Sequence, residues 1–244
     1  AYATLLTNTY MPLLDSLSLT QADDDSTDII RLRNQLYGFL GMYADSDSLV
    51  EKSNVLAKKY IEDTSSVSSG IAGTAIAIAT KNSADKDNAK WFNEVVSAFK
   101  KAQLPNVKST LIYSMRFDDK ESVFNMLDLA LTDEITPANT MYMVARVARN
   151  LDDHTLVYQW LDNNADALIK KMPDYHVARM PEFVSSSCSE VNLAMANSFY
   201  GKIQDSHEGM SRGVEIMQDE SQQCLRLKTA FQSDFDKFLA DYAK

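Results

Sequence analysis

Residues 106–172 read NVKSTLIYSMRFDDKESVFNMLDLALTDEITPANTMYMVARVARNLDDHTLVYQWLDNNADALIKKM, and this stretch decides the fold class. It carries four apolar stripes in succession. Leu111, Ile112 and Met115 form the first; Val123, Met126, Leu127, Ala130 and Leu131 the second. Met141, Val144, Ala145 and Ala148 form the third; Leu156, Val157, Trp160, Leu161 and Leu168 the fourth. Three- and four-residue spacing with charges on the opposite faces specifies amphipathic helices. Short polar breaks separate them, and each supplies start signals. Asp118–Asp119, Thr136–Pro137 and Asp152–Asp153 place a capping oxygen ahead of an apolar run, and Pro137 suits a first helical turn. Helices joined by short turns pack as antiparallel neighbours, and a row of such pairs is a helical solenoid.

The same pattern extends in both directions. Upstream, a short opening helix over 3–14, interrupted near Pro12, carries Leu5, Leu6 and Tyr10, with Tyr2 just ahead of it. An acidic loop, 20–28, then precedes a helix marked by Ile29, Leu32, Leu36, Phe39, Leu40 and Tyr43. Asp45–Ser48 ends it, and Leu49, Val50, Leu56, Ala57 and Tyr60 mark the next. The run SGIAGTAIAIAT (69–80) alternates like a strand over part of its length, but its alanines and helical surroundings favour helix. Trp91, Val95, Ala98 and Phe99 mark another. Downstream, residues 173–187, with two prolines and three consecutive serines, read as an irregular connection. A capping box from Ser187 to Glu190 opens a helix to Gly201. A long helix from Gly209 to Leu227 and a terminal one from Phe231 to Tyr242 complete the chain. The expectation is one all-α domain over residues 1–244. It is an irregular HEAT-like solenoid of about ten to twelve helices with a loose repeat of about 35 residues.

Composition agrees and excludes several function classes. Seven Gly and five Pro among 244 residues are too few for a turn-rich β architecture. The net charge of −10 and the lack of a clustered basic face exclude nucleic acid as a partner. No apolar run approaches the roughly 20 residues of a membrane span. Ala1 opens mid-pattern with no signal peptide ahead of it, as expected of a piece of a longer chain. His154, His176 and His207 are scattered, and neither H-E-x-x-H nor a phosphate-binding glycine motif is present. These residues therefore carry no visible catalytic apparatus, and neither zinc nor another cofactor is expected on them. Cys188 and Cys224 cannot alone make a zinc site. A turn near 201–208 sets them roughly 10 Å out of register along the helices, so they are expected to remain unbridged.

Four segments carry a family resemblance. VKSTLIYSMRFDDKESVFNMLDLALTDE (107–134), LVYQWLDNNADALIKKM (156–172), SCSEVNLAMANSFY (187–200) and MSRGVEIMQDESQQCLRLKTAFQSDFDKFLADY (210–242) resemble, in pattern and order, one family domain. It is the C-terminal helical domain of zinc aminopeptidases related to aminopeptidase N and the endoplasmic-reticulum aminopeptidases. IIRLRNQLYGFLGMYADSDSLVEKSNVLAKKYI (29–61) fits it more loosely. The sequence departs from the family at Ala165, where relatives often carry Trp, and at Thr136–Asn139, where several carry a basic-polar-acidic run. The contacts made by that run are not carried over.

The resemblance implies a non-catalytic cap that packs against a peptidase domain, encloses its chamber and gates or recognises peptide substrates. The expected partners are that catalytic domain, which would hold the zinc, and a peptide. The resemblance also leans toward a periplasmic or otherwise extracytoplasmic location, with a cytoplasmic one as the alternative. The rival from another class is a free-standing helical-repeat scaffold for a protein partner. In so acidic a chain, Arg31, Arg33, Arg146 and Arg149 are the candidate peptide or interdomain contacts, since guanidinium groups pair with carboxylates in two-pronged geometry. The same four residues also read as salt bridges between neighbouring helices. His176 beside Arg179 reads either as a substrate contact or as a surface histidine, and Tyr2, Leu5, Leu6 and Tyr10 as a docking face for the catalytic domain.

Overall fold

The computed structural model describes residues 1–20, 22, 24–44 and 46–242. Among them are twelve α-helices and no strand. Positions 21 and 23 of the expected acidic loop, and Asp45 of the expected break, lie outside the described residues.

The backbone divides into two compact units, Ala1–Arg116 with Asp234–Lys244, and Phe117–Ser233. The first unit contains α1 (Tyr2–Leu17), α2 (Thr27–Tyr43), α3 (Asp47–Glu62), α4 (Ser69–Lys81), α5 (Asp85–Lys101) and α6 (Pro105–Ser114). Ser26 and Ser46 accept hydrogen bonds from the Ile29 and Leu49 amides and so cap α2 and α3. The alanine-rich α4 is the hub. It packs on α2, α3 and α6 and buries eight residues distributed around its circumference, from Ile71 to Thr80. A helix surrounded by others has no polar face to mark its period, which is why its sequence also mimics a strand. Small partners let the backbones close in: a side chain on Gly41 would strike Ile78, and one on Gly73 would lie 2.9 Å from Ser114 Oγ.

The second unit contains α7 (Lys120–Leu131), α8 (Pro137–Arg149), α9 (Thr155–Lys171), α10 (Asp174–Ser185), α11 (Glu190–Tyr200) and α12 (Met210–Tyr242) as far as Ser233. α7 packs on α9 and α9 on α11, and α8 packs on α10. Every residue of the third expected stripe is buried, as are Val157, Trp160, Leu161 and Leu168 of the fourth. Asp119 caps α7 by accepting from the Ser122 amide at 2.9 Å. Asp153 instead accepts from the Thr155 amide, one position beyond the His154 N-cap.

Four local expectations are corrected. α1 runs unbroken through Pro12, because the carbonyl that Pro12 leaves unpaired belongs to exposed Asn8 and is free to meet water. Residues 173–187 are not an irregular connection. Pro173 precedes the first turn of α10, and the Pro181 ring lies against Gly213 of α12, where no side chain competes for the space. α11 is capped by Ser189 rather than by a box from Ser187. The two C-terminal helices are one 33-residue helix, since Lys228, Thr229 and Ala230 include neither Gly nor Pro to stop it.

Cys188 and Cys224 form a disulfide, with Cα atoms 5.2 Å apart. The expectation of free thiols set the cysteines roughly 10 Å out of register, and the lengths of the two arms overturn it. The 11 residues of α11 span about 16 Å, and the two extended residues ahead of it add roughly 6 Å. That matches about 21 Å for the 14 residues of α12 leading to Cys224. The cysteines therefore meet.

Candidate functional site

Helices α8 and α10 present a joint aromatic and basic face within the second unit. Tyr142, Arg146 and Arg149 follow at four- and three-residue intervals and so share one face of α8; His176, Arg179 and Phe183 do the same on α10. The packing of α8 on α10 brings the two faces together. The Tyr142 ring meets His176 edge-on at 5.5 Å and Phe183 at 6.3 Å, and Tyr175 meets His176 at 4.2 Å. Two guanidinium groups approach the Phe183 ring, Arg179 at 4.4 Å and Arg149 at 6.0 Å. Ring faces attract cations, so Phe183 holds two like charges near each other on one platform.

Much of this face meets solvent. Tyr142 is 48% exposed and Tyr175 60% exposed, large values for rings with so many neighbours. Arg179 is held by Glu182 in a two-pronged pair, Nη2 to Oε1 at 2.7 Å and Nε to Oε2 at 3.1 Å, and this hydrogen bonding raises its pKa further. Arg149 is exposed and Arg146 half-buried. His176 lies beneath, 3% exposed, with Nδ1 buried and without a hydrogen-bond partner. Burial, reinforced by the Arg179 charge, lowers its pKa. A neutral imidazole thus floors the patch, while tyrosine edges and guanidinium groups line its rim. Such a surface can hold a carboxylate by charge and a flat or apolar side chain by contact with the rings.

Of the four arginines singled out from sequence, Arg146 and Arg149 fall on this face. Arg31 and Arg33 lie in the other unit, on α2. Arg33 is 3% exposed: its Nε donates to Ser18 O at 2.8 Å and Leu17 O at 3.2 Å, and its Nη2 to Asp25 Oδ2 at 2.7 Å. These bonds close the end of α1 onto α2. Arg31 is exposed. Of the opening-helix residues, Leu6 is buried and Leu5 half-buried, whereas Tyr2 and Tyr10 are exposed and meet Phe235 and Phe39 edge-on.

Tyr142, Tyr175 and Phe183 were not legible as site residues, because helices distant in sequence bring them together. The available signal was the shared three-four spacing of Tyr142–Arg146–Arg149 and His176–Arg179–Phe183, masked by reading residues 173–187 as a loop.

Among the described residues no three His, Cys, Asp or Glu side chains come together in a way that could hold a metal ion. No helix among them is long and apolar enough to cross a membrane. No curated protein matches the chain significantly. A family model does match, that of the ERAP1-like C-terminal domain over residues 1–223, and with nine-tenths of its length so matched the chain belongs to that family.

Proposed function

We propose that this chain is the non-catalytic cap of an aminopeptidase, packing against a zinc-peptidase domain and holding the part of a peptide substrate remote from the scissile bond. The observation that carries the reading is the α8–α10 face, where Arg149 and Arg179 flank Phe183 beside the exposed rings of Tyr142 and Tyr175. On this reading a peptide carboxylate engages Arg149, with Arg146 on the same helical face as a second contact. A neighbouring side chain lies along Tyr142 and Tyr175. On this reading gating is a matter of length: a peptide reaching both the zinc and this face binds better than one too short to do so. On this reading the row-on-row pairing of helices is a HEAT-like arrangement suited to a cap. The catalytic zinc belongs to the peptidase domain, and no residue of this chain is assigned to it.

The test is to measure, by fluorescence anisotropy, binding of labelled peptides of graded length to this chain, each with a free or an amidated C-terminus. A zinc-peptidase domain supplied separately provides a second readout, its length preference with and without the cap. Tighter binding of the free acid, lost in Arg149→Ala, is the expected result. Equal binding of acid and amide, together with an unchanged length preference, sinks the reading. The scaffold alternative is favoured by a different observation: α12 leaves Leu227, Phe231, Phe235 and Phe238 between 44% and 63% exposed. A protein partner covering that helix, with no effect of peptide length, is the outcome it requires.

A further inference from the structure

We propose that Cys188 is a thiol-exchange site through which a dithiol reductant opens the Cys188–Cys224 disulfide, with Cys224 as the leaving thiolate. Three observations carry the inference. The first is access from one side. Both cysteines are only half-buried, and a cleft of about 370 Å³ is lined by Cys188, Ser189, Glu190, Leu225, Lys228, Thr229 and Gln232. Of the two cysteines Cys188 is the one on that wall, which gives an incoming thiolate a route to its sulfur. The second is the leaving group. Lys228 lies one helical turn beyond Cys224 on α12, where an ammonium group favours the thiolate form of that cysteine. Glu190, on the same wall, opposes an approaching anion and slows the reaction without redirecting it.

The third observation is what the bond holds. The non-helical link between α10 and α11 is fastened to α12 by two hydrogen bonds, Ser186 Oγ to Glu220 Oε2 at 2.7 Å and the Ser187 amide to Ser221 Oγ at 3.2 Å. Past Ser221, α12 buries no side chain. Cys224 ties α12 covalently to that link, and it closes a loop across a sequence separation of 36.

The exchange balances as follows. A reductant thiolate attacks Cys188 Sγ, forming a mixed disulfide and expelling the Cys224 thiolate. The second thiol of the reductant, once deprotonated, attacks its own sulfur in that mixed disulfide and expels the Cys188 thiolate. The protein disulfide gains two electrons and the dithiol leaves as its disulfide. The opened link and the portion of α12 beyond Ser221 then lose their shared restraint, while α7–α9 do not.

The experiment uses the intact chain. Oxidised protein is treated briefly with glutathione, which lacks a second thiol to resolve the mixed disulfide intramolecularly, then quenched by alkylation at early times and mapped by mass spectrometry. Glutathione on Cys188 and the alkyl group on Cys224, at least about tenfold over the reverse, is expected. Lys228→Gln slows opening several-fold, and Lys237→Gln does not. Hydrogen exchange after full reduction with dithiothreitol rises at residues 186–190 and 222–233, with α7–α9 unchanged. Adducts shared equally or favouring Cys224, opening only after global unfolding, or exchange rates unmoved by reduction would each overturn the proposal.

Discussion

Trp160 on α9 donates its indole N–H to the Asp128 carboxylate on α7 at 2.7 Å, although Trp160 is 2% exposed and Asp128 lies at the surface. The ring is a core element with one polar edge brought out to a charge. The two halves of that role are separable. Truncating the ring, Trp160→Ala, should cost about 3–5 kcal/mol through the cavity it leaves. Asp128→Ala should cost only about 1 kcal/mol, since water can replace a surface carboxylate. Urea unfolding of the two variants measures both. An aspartate effect as large as the tryptophan effect would mean that the bond, and not the packing, positions α9.

Two glycines should respond to alanine in opposite directions. Gly38 lies within α2, and a Cβ there would meet nothing closer than Thr74, at 3.8 Å. Alanine adds helix propensity and restricts the unfolded chain, so Gly38→Ala should stabilise by about 0.5–1 kcal/mol. Gly213 lies within α12, where a Cβ would strike the Ala178 carbonyl of α10 and crowd the Pro181 ring. A backbone carbonyl cannot step aside as a side chain can. Gly213→Ala should therefore destabilise by about 1–3 kcal/mol, read as a lowered denaturation midpoint.

The same crossing shows where sequence is informative and where it is not. α7 to α9 were legible, because each has a buried stripe, a polar face and a start signal just ahead of it. α10 was not: Pro173 and Pro181 look like breakers, and only the facing Gly213, far along the chain, makes room for the ring. The disulfide was missed for a related reason, since its register depends on how residues 186–189 and 201–209 are built. The patch of Tyr142, Phe183 and Arg149 needed α8 beside α10, a pairing that periodicity cannot specify. The family resemblance was carried by stripe order over most of the length, which is what the helices themselves preserve.

Alkaline pH should weaken the fold through its buried phenols. Tyr37 is fully buried, its hydroxyl within 2.6 Å of Ser53 Oγ, and burial pushes its pKa up to about 12. Tyr158 and Tyr200 flank Ser185 at 2.7 and 3.1 Å, and burial likewise raises both. In the unfolded chain these groups ionise near about 10. Between that value and the folded pKa the unfolded state has lost protons that the native state keeps, so stability falls as pH rises. For Tyr37 the loss is on the order of 2 kcal/mol by its folded pKa. Tyr37→Phe should cost little at neutral pH, because Ser53 still donates to Leu49 O at 2.6 Å, and should flatten the alkaline decline. Denaturation midpoints on both sides of pH 10 test this, and an unchanged slope in Tyr37→Phe would exclude Tyr37 as a source.

The last prediction concerns the end of α1. Ser18 has φ 57° and ψ 160°, the one positive φ outside glycine among the described residues. That combination is nearly confined to glycine, because a Cβ crowds the neighbouring carbonyls, and it costs about 1–3 kcal/mol. The backbone is held there by Arg33, whose Nε reaches the Leu17 and Ser18 carbonyls while Nη2 pairs with Asp25. Removing the strain and removing the restraint should act in opposite senses. Ser18→Gly should raise stability, by about 1 kcal/mol after glycine's extra unfolded-chain entropy is subtracted. Arg33→Ala should lower it by about 3–5 kcal/mol, since two carbonyls and the Asp25 carboxylate lose a buried donor together. The coupling of the two changes is the sharper measurement. With the guanidinium gone, residues 18–20 can relax, and the benefit of Ser18→Gly should shrink in the Arg33→Ala background. A double-mutant cycle by chemical denaturation reads this directly. Strict additivity would show that Ser18 is held by something other than Arg33.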